Sequence, residues 1–194
     1  MSKFVERKAM KDIPADIINR ASRGDEAAFE EIYRAASGFV YSVALRVLGN
    51  ESEAEEVTQE LFIALYRKLK SFLFRSSFKT WLYRMAMNMT LNAYNRRARE
   101  VGRRADYDDA EAVAAVGASQ PDEAGQKDSE KIVSELLGSV SPEHRSCIVL
   151  REIEGLSYDE IAVALNININ TVRSRLKRAR ESLVARARER GDRP

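Results

Sequence analysis

Apolar positions along the chain recur mostly at helical spacing. From Gly24-Asp25 to Leu48, the residues Phe29, Ile32, Val40, Val43, Ala44 and Val47 fall on one side, and Gly49-Asn50 marks a stop. Ser52 followed by Glu55 reads as a capping box opening a second helix to about Lys70, with Val57, Leu61, Leu65 and Leu69 as its stripe. A loop, SFLFRSS, leads to a helix over 77–98 that Ser76 or Ser77 can cap. A short helix near residues 14–22 precedes these, giving a bundle of three or four helices.

The helix over 77–98 carries two apolar faces. Phe78, Trp81, Leu82, Met85, Met89 and Ala93 make an ordinary core stripe. Tyr83, Met87, Leu91 and Tyr94 lie opposite, among Lys79, Arg84, Asn88, Asn95 and Arg97. Packing on neighbouring helices of the bundle and contact with something flat and anionic both remain open for this second face.

Beyond Arg104 the periodicity stops. ADYDDAEAVAAVGASQPDEAGQKD is acidic and rich in small residues, so it reads as a linker, with a short helical stretch possible within AEAVAAV. Periodicity returns near Ser129 with Ile132, Val133, Leu136 and Leu137. Ser141-Pro142-Glu143 starts another helix and Gly155 ends it. Ser157 and Glu160 form a capping box before YDEIAVAL; NININ breaks that helix and TVRSRLKRARESLVARA resumes it. No segment reads as a strand. The fold class is all-α, with two helical domains joined by a flexible acidic linker: residues 1–100, 101–128 and 129–194.

Composition narrows the function classes. The 194 residues include nine Gly, four Pro, one Cys and one His. One cysteine, Cys147, excludes an internal disulfide, and with a single His144 no zinc cluster is expected. No cofactor, Gly-rich phosphate loop or catalytic set is evident, so an enzyme is not expected. No apolar run approaches the roughly 20 residues of a membrane span and the N-terminus lacks a signal-peptide pattern, so the expectation is a soluble, cytoplasmic chain. The net charge of +2 conceals alternating blocks: acidic over 51–60, basic over 95–104, acidic over 105–130 and basic over 171–190.

LSYDEIAVALNININTVRSRLKRARESL has the anatomy of a helix-turn-helix. Val172, Leu176, Ala179 and Leu183 face the core; Arg173, Ser174, Lys177 and Arg178 lie opposite, with Arg175 and Arg180 on the flanks. Arg and Lys pair with guanine in the major groove, and Ser serves base edges or phosphates. A solvated basic face is the bland alternative.

Three stretches in order, EVTQELFIALYRKLKSF, SSFKTWLYRMAMN and LREIEGLSYDEIAVAL…TVRSRLKRARESL, resemble the extracytoplasmic-function (ECF) sigma factors of bacterial RNA polymerase, in the RpoE-like group of the sigma-70 family. The resemblance implies that the first domain (region 2) binds core polymerase and reads and melts the promoter's −10 element. The second (region 4) reads the −35 element. It places Glu56, Gln59, Glu60 and Phe62 on the clamp helices of the largest polymerase subunit. It places Phe72, Ser76, Ser77, Phe78, Lys79, Arg84, Asn88, Asn92 and Arg96 at the −10 element, where a base flipped from the non-template strand is received. Thr171, Arg173, Ser174, Lys177 and Arg178 fall at the −35 element. An anti-sigma factor is an expected partner, and free domains folding together through the linker is one expected resting form.

Two points qualify the resemblance. Many relatives carry Arg-Gly-Asp-like residues just after the position of Phe72, where this chain reads Leu73-Phe74-Arg75; Phe74 is then a possible second stacking residue. The acidic linker fits either mimicry of nucleic acid in a basic channel or a passive tether. The competing functions are a helix-turn-helix regulator working without polymerase and an adaptor making only protein contacts.

Overall fold

The computed structural model describes residues 12–105 and 126–191. The expected linker and the N-terminal extension therefore lie mostly outside the described residues, as does the AEAVAAV stretch. Among the described residues there are eight α-helices and no strand: α1 (Ala15–Ser22), α2 (Glu26–Leu48), α3 (Glu51–Lys68), α4 (Phe78–Ala105), α5 (Gln126–Gly138), α6 (Pro142–Ile148), α7 (Tyr158–Leu165) and α8 (Ile169–Gly191). A 3₁₀ turn, Leu69–Ser71, extends α3, and a π-helical stretch, Val149–Ile153, extends α6.

The helix ends follow local chemistry. Asp25 caps α2 by accepting from the Ala28 N–H at 3.0 Å. Gly49 closes α2 in the left-handed region at φ 67°. The cap of α3 is Asn50, accepting from Glu53 N–H at 2.9 Å, rather than the expected Ser52. Asn50 follows the glycine stop directly and is itself a strong N-cap, so the helix begins at once. Ser77 caps α4 through Thr80 N–H at 3.0 Å. α4 itself extends to Ala105, past the expected end at 98. The capping box of α7 is present, with Ser157 N–H donating to Glu160 at 2.8 Å and Glu160 N–H donating to Ser157 Oγ at 3.2 Å.

α1–α4 bury Ile18, Ile32, Val40, Leu61, Leu65, Leu82 and Ala86 in one core. A second core gathers Leu137, Val140, Cys147, Ile148, Leu150, Ile161, Val172, Leu176 and Ala179 from α5–α8 with Val43 and Val47 of α2 and Tyr83 and Met87 of α4. The two halves thus share apolar surface. The second face of α4 does not pack mainly on its own bundle: Tyr83 and Met87, both fully buried, pack into the C-terminal half. Tyr94 alone of that face joins a small cluster with Ala44, Leu48 and Val57.

Arg145 ties the halves through backbone. Its guanidinium donates to the carbonyls of Val140 (2.9 and 3.3 Å), Gly138 (3.1 Å) and Val47 (2.5 Å). Val47 and Gly138 lie in the last turns of α2 and α5, where unsatisfied carbonyls and the helix dipole both favour a cation.

Candidate nucleic-acid interface

The turn between α7 and α8 is built by asparagines. Asn166 adopts φ 53°, one of the few backbone conformations in which Asn is favoured among non-glycine residues. Its N–H bonds Val163 O at 3.3 Å while Ile167 N–H bonds Ala162 O at 3.0 Å, a Schellman closure of α7. Two residues on, Asn168 starts α8, its side chain accepting from Asn170 N–H at 2.8 Å. NININ is therefore the end of one helix and the start of the next, with α8 beginning inside it.

α8 then divides as its sequence predicts. Val172, Leu176 and Ala179 are fully buried, and Leu183 packs beside them. Arg173, Ser174, Lys177 and Arg178 are exposed along the opposite side; Thr171 is half-buried. Arg173 is steadied by Asn170 Oδ1 at 3.0 Å, and Lys177 is 3.9 Å from Glu181, a weak exposed pair. The flanking arginines turn elsewhere: Arg180 pairs with Glu152 at 2.7 Å, and Arg175 reaches the Cys147 thiol. Burial pushes that thiol up to about 11, so Cys147 is a neutral core residue rather than a nucleophile.

On α4, Arg84, Asn88, Asn92 and Arg96 form one exposed row at four-residue spacing. Arg96 is 3.7 Å from Glu56 of α3, both more than half open to solvent, so the pair is easily exchanged for another partner. Lys79 sits differently. Its amine is 6.0 Å from the Tyr83 ring, and the Glu154 and Glu160 carboxylates act on it electrostatically. At the start of α4, Phe72 lies between Trp81 (4.9 Å between ring centroids), Phe78 (5.6 Å) and Phe74 (4.7 Å). Phe78 is buried in the bundle core, so it supports Phe72 from within and does not itself face a ligand. The Ser77 hydroxyl is engaged as the cap of α4 and bonds Thr80 Oγ1 at 2.8 Å; Ser76 is half-buried.

A third surface lies between α2 and α3. Phe29 meets Tyr66 edge-on at 5.0 Å and Tyr33 meets Phe62 at 4.7 Å. With Gln59, Ile63 and Arg67 these residues line an apolar groove of about 740 Å³. Phe62, expected as an apolar anchor, is only 5 % exposed; its ring lies under Tyr33. Tyr33, Ile63 and Tyr66, which lacked any helical-stripe signal beyond their own apolarity, are about half exposed and offer the apolar contact surface instead. Gln59 and Glu60 are exposed beside them.

Comparison with known proteins decides the family. The sigma-70 region 2 profile matches residues 32–100 and the sigma-70 region 4 profile matches residues 130–183. The ECF RNA polymerase sigma factor SigW of Bacillus subtilis is 31% identical over 178 residues, covering 89% of this chain and 95% of SigW. The chain belongs to the sigma-70 family, in its ECF group. SigE of Mycolicibacterium smegmatis is 36% identical over 82% of this chain, although the chain spans 63% of that longer relative. The sigma factor RpoE of Bartonella quintana, solved with the anti-sigma factor NepR, superposes with a TM-score of 0.64 at 26% identity, covering 80% of this chain and 93% of its own.

Sigma factors catalyse no reaction of their own; they give core polymerase its choice of promoter. In this sigma factor, region 2 comprises most of α2, all of α3 and most of α4, and region 4 runs from α5 into α8. The α8 face belongs to region 4, and the α4 row, the aromatic loop and the α2–α3 groove belong to region 2. No helix among the described residues is long and apolar enough to cross a membrane.

Proposed function

We propose that this sigma factor binds core RNA polymerase through the α2–α3 surface and directs it to promoters. Residues 1–100 form the unit that reads and melts the −10 element, and residues 129–194 form the unit that reads the −35 element, joined by the acidic segment 101–128. The observation that carries this reading is the side-by-side presence of sigma-70 regions 2 and 4, each exposing the side chains its task requires. Arg173, Ser174, Lys177 and Arg178 stand clear on α8 for the −35 duplex, with Thr171 at its entry. The row Arg84, Asn88, Asn92 and Arg96, with Lys79 and the loop carrying Phe72 and Ser76, faces the −10 strand; Ser77 and Phe78 hold that loop's shape. Glu56, Gln59 and Glu60 present carboxylates and an amide beside the apolar groove, and the clamp helices of the largest polymerase subunit are its occupant.

An anti-sigma factor controls the chain. The related Bartonella quintana RpoE was solved with one bound, and its superposition over 80% of this chain supports a similar fold of both regions here. The work is done in the cytoplasm, where polymerase and promoter are found.

The test is reconstituted transcription. Core polymerase supplied with this chain should initiate at a limited set of genomic promoters sharing two upstream elements, while core alone should not. Failure to co-purify with core polymerase would remove the proposal.

A further inference from the structure

A cleft of about 700 Å³ opens between the two halves of the chain, with α2 and α4 on one side and α5, α6 and α8 on the other. Its size falls within the roughly 300–1,000 Å³ of small-molecule sites. Its lining is the opposite of the apolar α2–α3 groove. Five arginines line it, Arg46, Arg97, Arg145, Arg186 and Arg190, against two carboxylates, Glu135 and Glu189. No single helix supplies this charge. Arg46 comes from α2, Arg97 from α4, Arg145 from α6, and Arg186 and Arg190 from α8, one turn apart. A basic stripe along one helix suits an extended partner such as duplex DNA. Guanidinium groups converging from four helices suit a compact anion with acceptor oxygens on several sides.

Most of these arginines are held by contacts that a ligand can replace. Arg97 lies 3.2 Å from Glu53 of α3, and Arg186 lies 2.8 Å from Glu189. Arg190 pairs with Glu135 of α5, and Arg46 Nη1 donates to the Ser42 carbonyl at 3.2 Å. Solvent-accessible ion pairs of this kind are worth little and exchange partners readily. Arg145 is the fixed member. It is 7 % exposed, and its hydrogen bonds go to the carbonyls of Val140, Gly138 and Val47. Those bonds occupy Nε, both N–H groups of Nη2 and one of Nη1. The second N–H of Nη1 has no acceptor among the described residues. A buried donor left in this way is costly, and an anionic oxygen in the cleft satisfies it.

We propose that the cleft is a binding site for a compact polyanion of the diphosphate class. Arg97 of α4 and Arg186 and Arg190 of α8 hold it from the two halves of the chain, with Arg145 beneath. Glu189 and Glu135 compete with it for the α8 arginines. The ligand touches both halves, so binding it favours their packing against each other. None of the side chains assigned to promoter DNA or to polymerase takes part, and the proposal stands independently of those assignments.

The experiment is calorimetric titration of the full chain with inorganic pyrophosphate and, separately, with ADP, free of magnesium and at fixed ionic strength. Sulfate is the reference for general charge attraction. Pyrophosphate should bind at one site, at least about tenfold more tightly than sulfate. At about a hundred times its Kd it should raise Tm by roughly 5–10 °C. R97Q and R186Q should each weaken binding by about tenfold, with nearly unchanged Tm in the absence of ligand. E189Q releases Arg186 and should tighten it. R34Q makes the same change of charge on the exposed side of α2, outside the cleft, and should bind like wild type. Tighter binding of ADP than of pyrophosphate identifies a nucleotide as the source of the diphosphate, and the reverse identifies the free anion; either upholds the site. Absence of saturable binding would overturn the proposal, as would equal affinity for sulfate. Binding that survives both R97Q and R186Q, or that falls as far in R34Q, lies elsewhere on the chain and overturns it as well.

Discussion

The Tyr83 hydroxyl donates to Glu154 Oε2 at 3.1 Å, joining α4 of region 2 to the end of the π-helical stretch of region 4. Tyr83 is fully buried, its ring held edge-on by Phe39 at 4.5 Å. The bond places a polar contact inside the apolar surface the two regions share. It also brings acid to a basic residue assigned to the −10 strand, because Glu154 and Glu160 act on Lys79. In this arrangement carboxylates of region 4 lie near a lysine of region 2, and the hydrogen bond locks the facing surfaces of the two regions.

Removing the hydroxyl should loosen that lock. Y83F leaves the Glu154 carboxylate half-buried without its donor, an uncompensated polar group costing about 1–3 kcal/mol. Hydrogen exchange of α4 and α7 amides should quicken, and Lys79 should become available to DNA. Unaltered exchange and melting temperature in Y83F would show that the bond contributes nothing to the joint.

The same pair makes the joint sensitive to pH. Burial raises Glu154 above the ordinary carboxylate value, outweighing the hydrogen bond from Tyr83 and the charges of Arg46 and Lys79. The folded chain therefore holds this proton more tightly than the unfolded chain. The stabilising contribution is fully present below the unfolded value and disappears as pH rises through the raised folded value. E154Q, which imitates the protonated form, should match wild type in acid and exceed it in stability at neutral pH and above. Parallel denaturation curves for the two proteins across pH 4 to 8 would contradict this.

Arg145 is the second tie, and its partners are all backbone carbonyls rather than carboxylates. R145A strands carbonyls at the ends of two helices in a site where water has little access. A loss of about 3 kcal/mol is expected, or roughly 6–12 °C in Tm for a chain this long. R145K should recover less than half of it, because an ammonium cannot span the Val47 and Val140 carbonyls as a planar fork does. Equal melting of R145A and wild type would dismiss the role.

Which of these features the sequence discloses depends on how local their causes are. Helix starts at Asp25, Ser77 and Ser157 follow from caps within three residues, and the α8 division follows from a 3.6-residue period. Ser52 misleads because a capping box resembles many Ser-x-x-Glu stretches, and Asn50 comes first along the chain. The second apolar face of α4 is visible as a pattern, but its partner is not. Tyr83 and Glu154 are 71 residues apart, with a patternless acidic segment between them. Nothing in the spacing of Tyr83 and Met87 distinguishes packing on the bundle from packing on region 4. Phe62 and Phe78 show the same limit: an aromatic at a motif position is equally suited to the surface or to the layer beneath it, and only packing assigns it.

The α8 face makes a sequence-specific prediction. Arg173 and Arg178 are exposed, and among the described residues neither pairs with a carboxylate. Replacing either by alanine should cost about 1–3 kcal/mol at a −35 base if the guanidinium pairs with guanine, and should relax selectivity at that base alone. A uniform loss over all −35 variants, with a shallower salt dependence, would reassign the residue to a phosphate. R173A and R178A that both keep wild-type promoter choice in reconstituted transcription would refute the recognition face.

Variants in the α2–α3 groove test polymerase binding apart from promoter reading. Ile63 and Tyr66 are about half exposed and lie on the side of α3 away from the core residues Leu61 and Leu65. I63E and Y66A should therefore fold with nearly unchanged Tm. Their loss should appear in affinity for core polymerase, by about 1–3 kcal/mol if each fills an apolar contact, since burying such a side chain is worth that much. F62A is the contrasting variant: its ring is buried beneath Tyr33, so it should lose stability first, and binding only through that. Titration of fluorescently labelled chain with core enzyme, next to thermal melts of the same three variants, distinguishes the two patterns. Wild-type affinity in I63E and Y66A would place the polymerase contact on another face of the bundle.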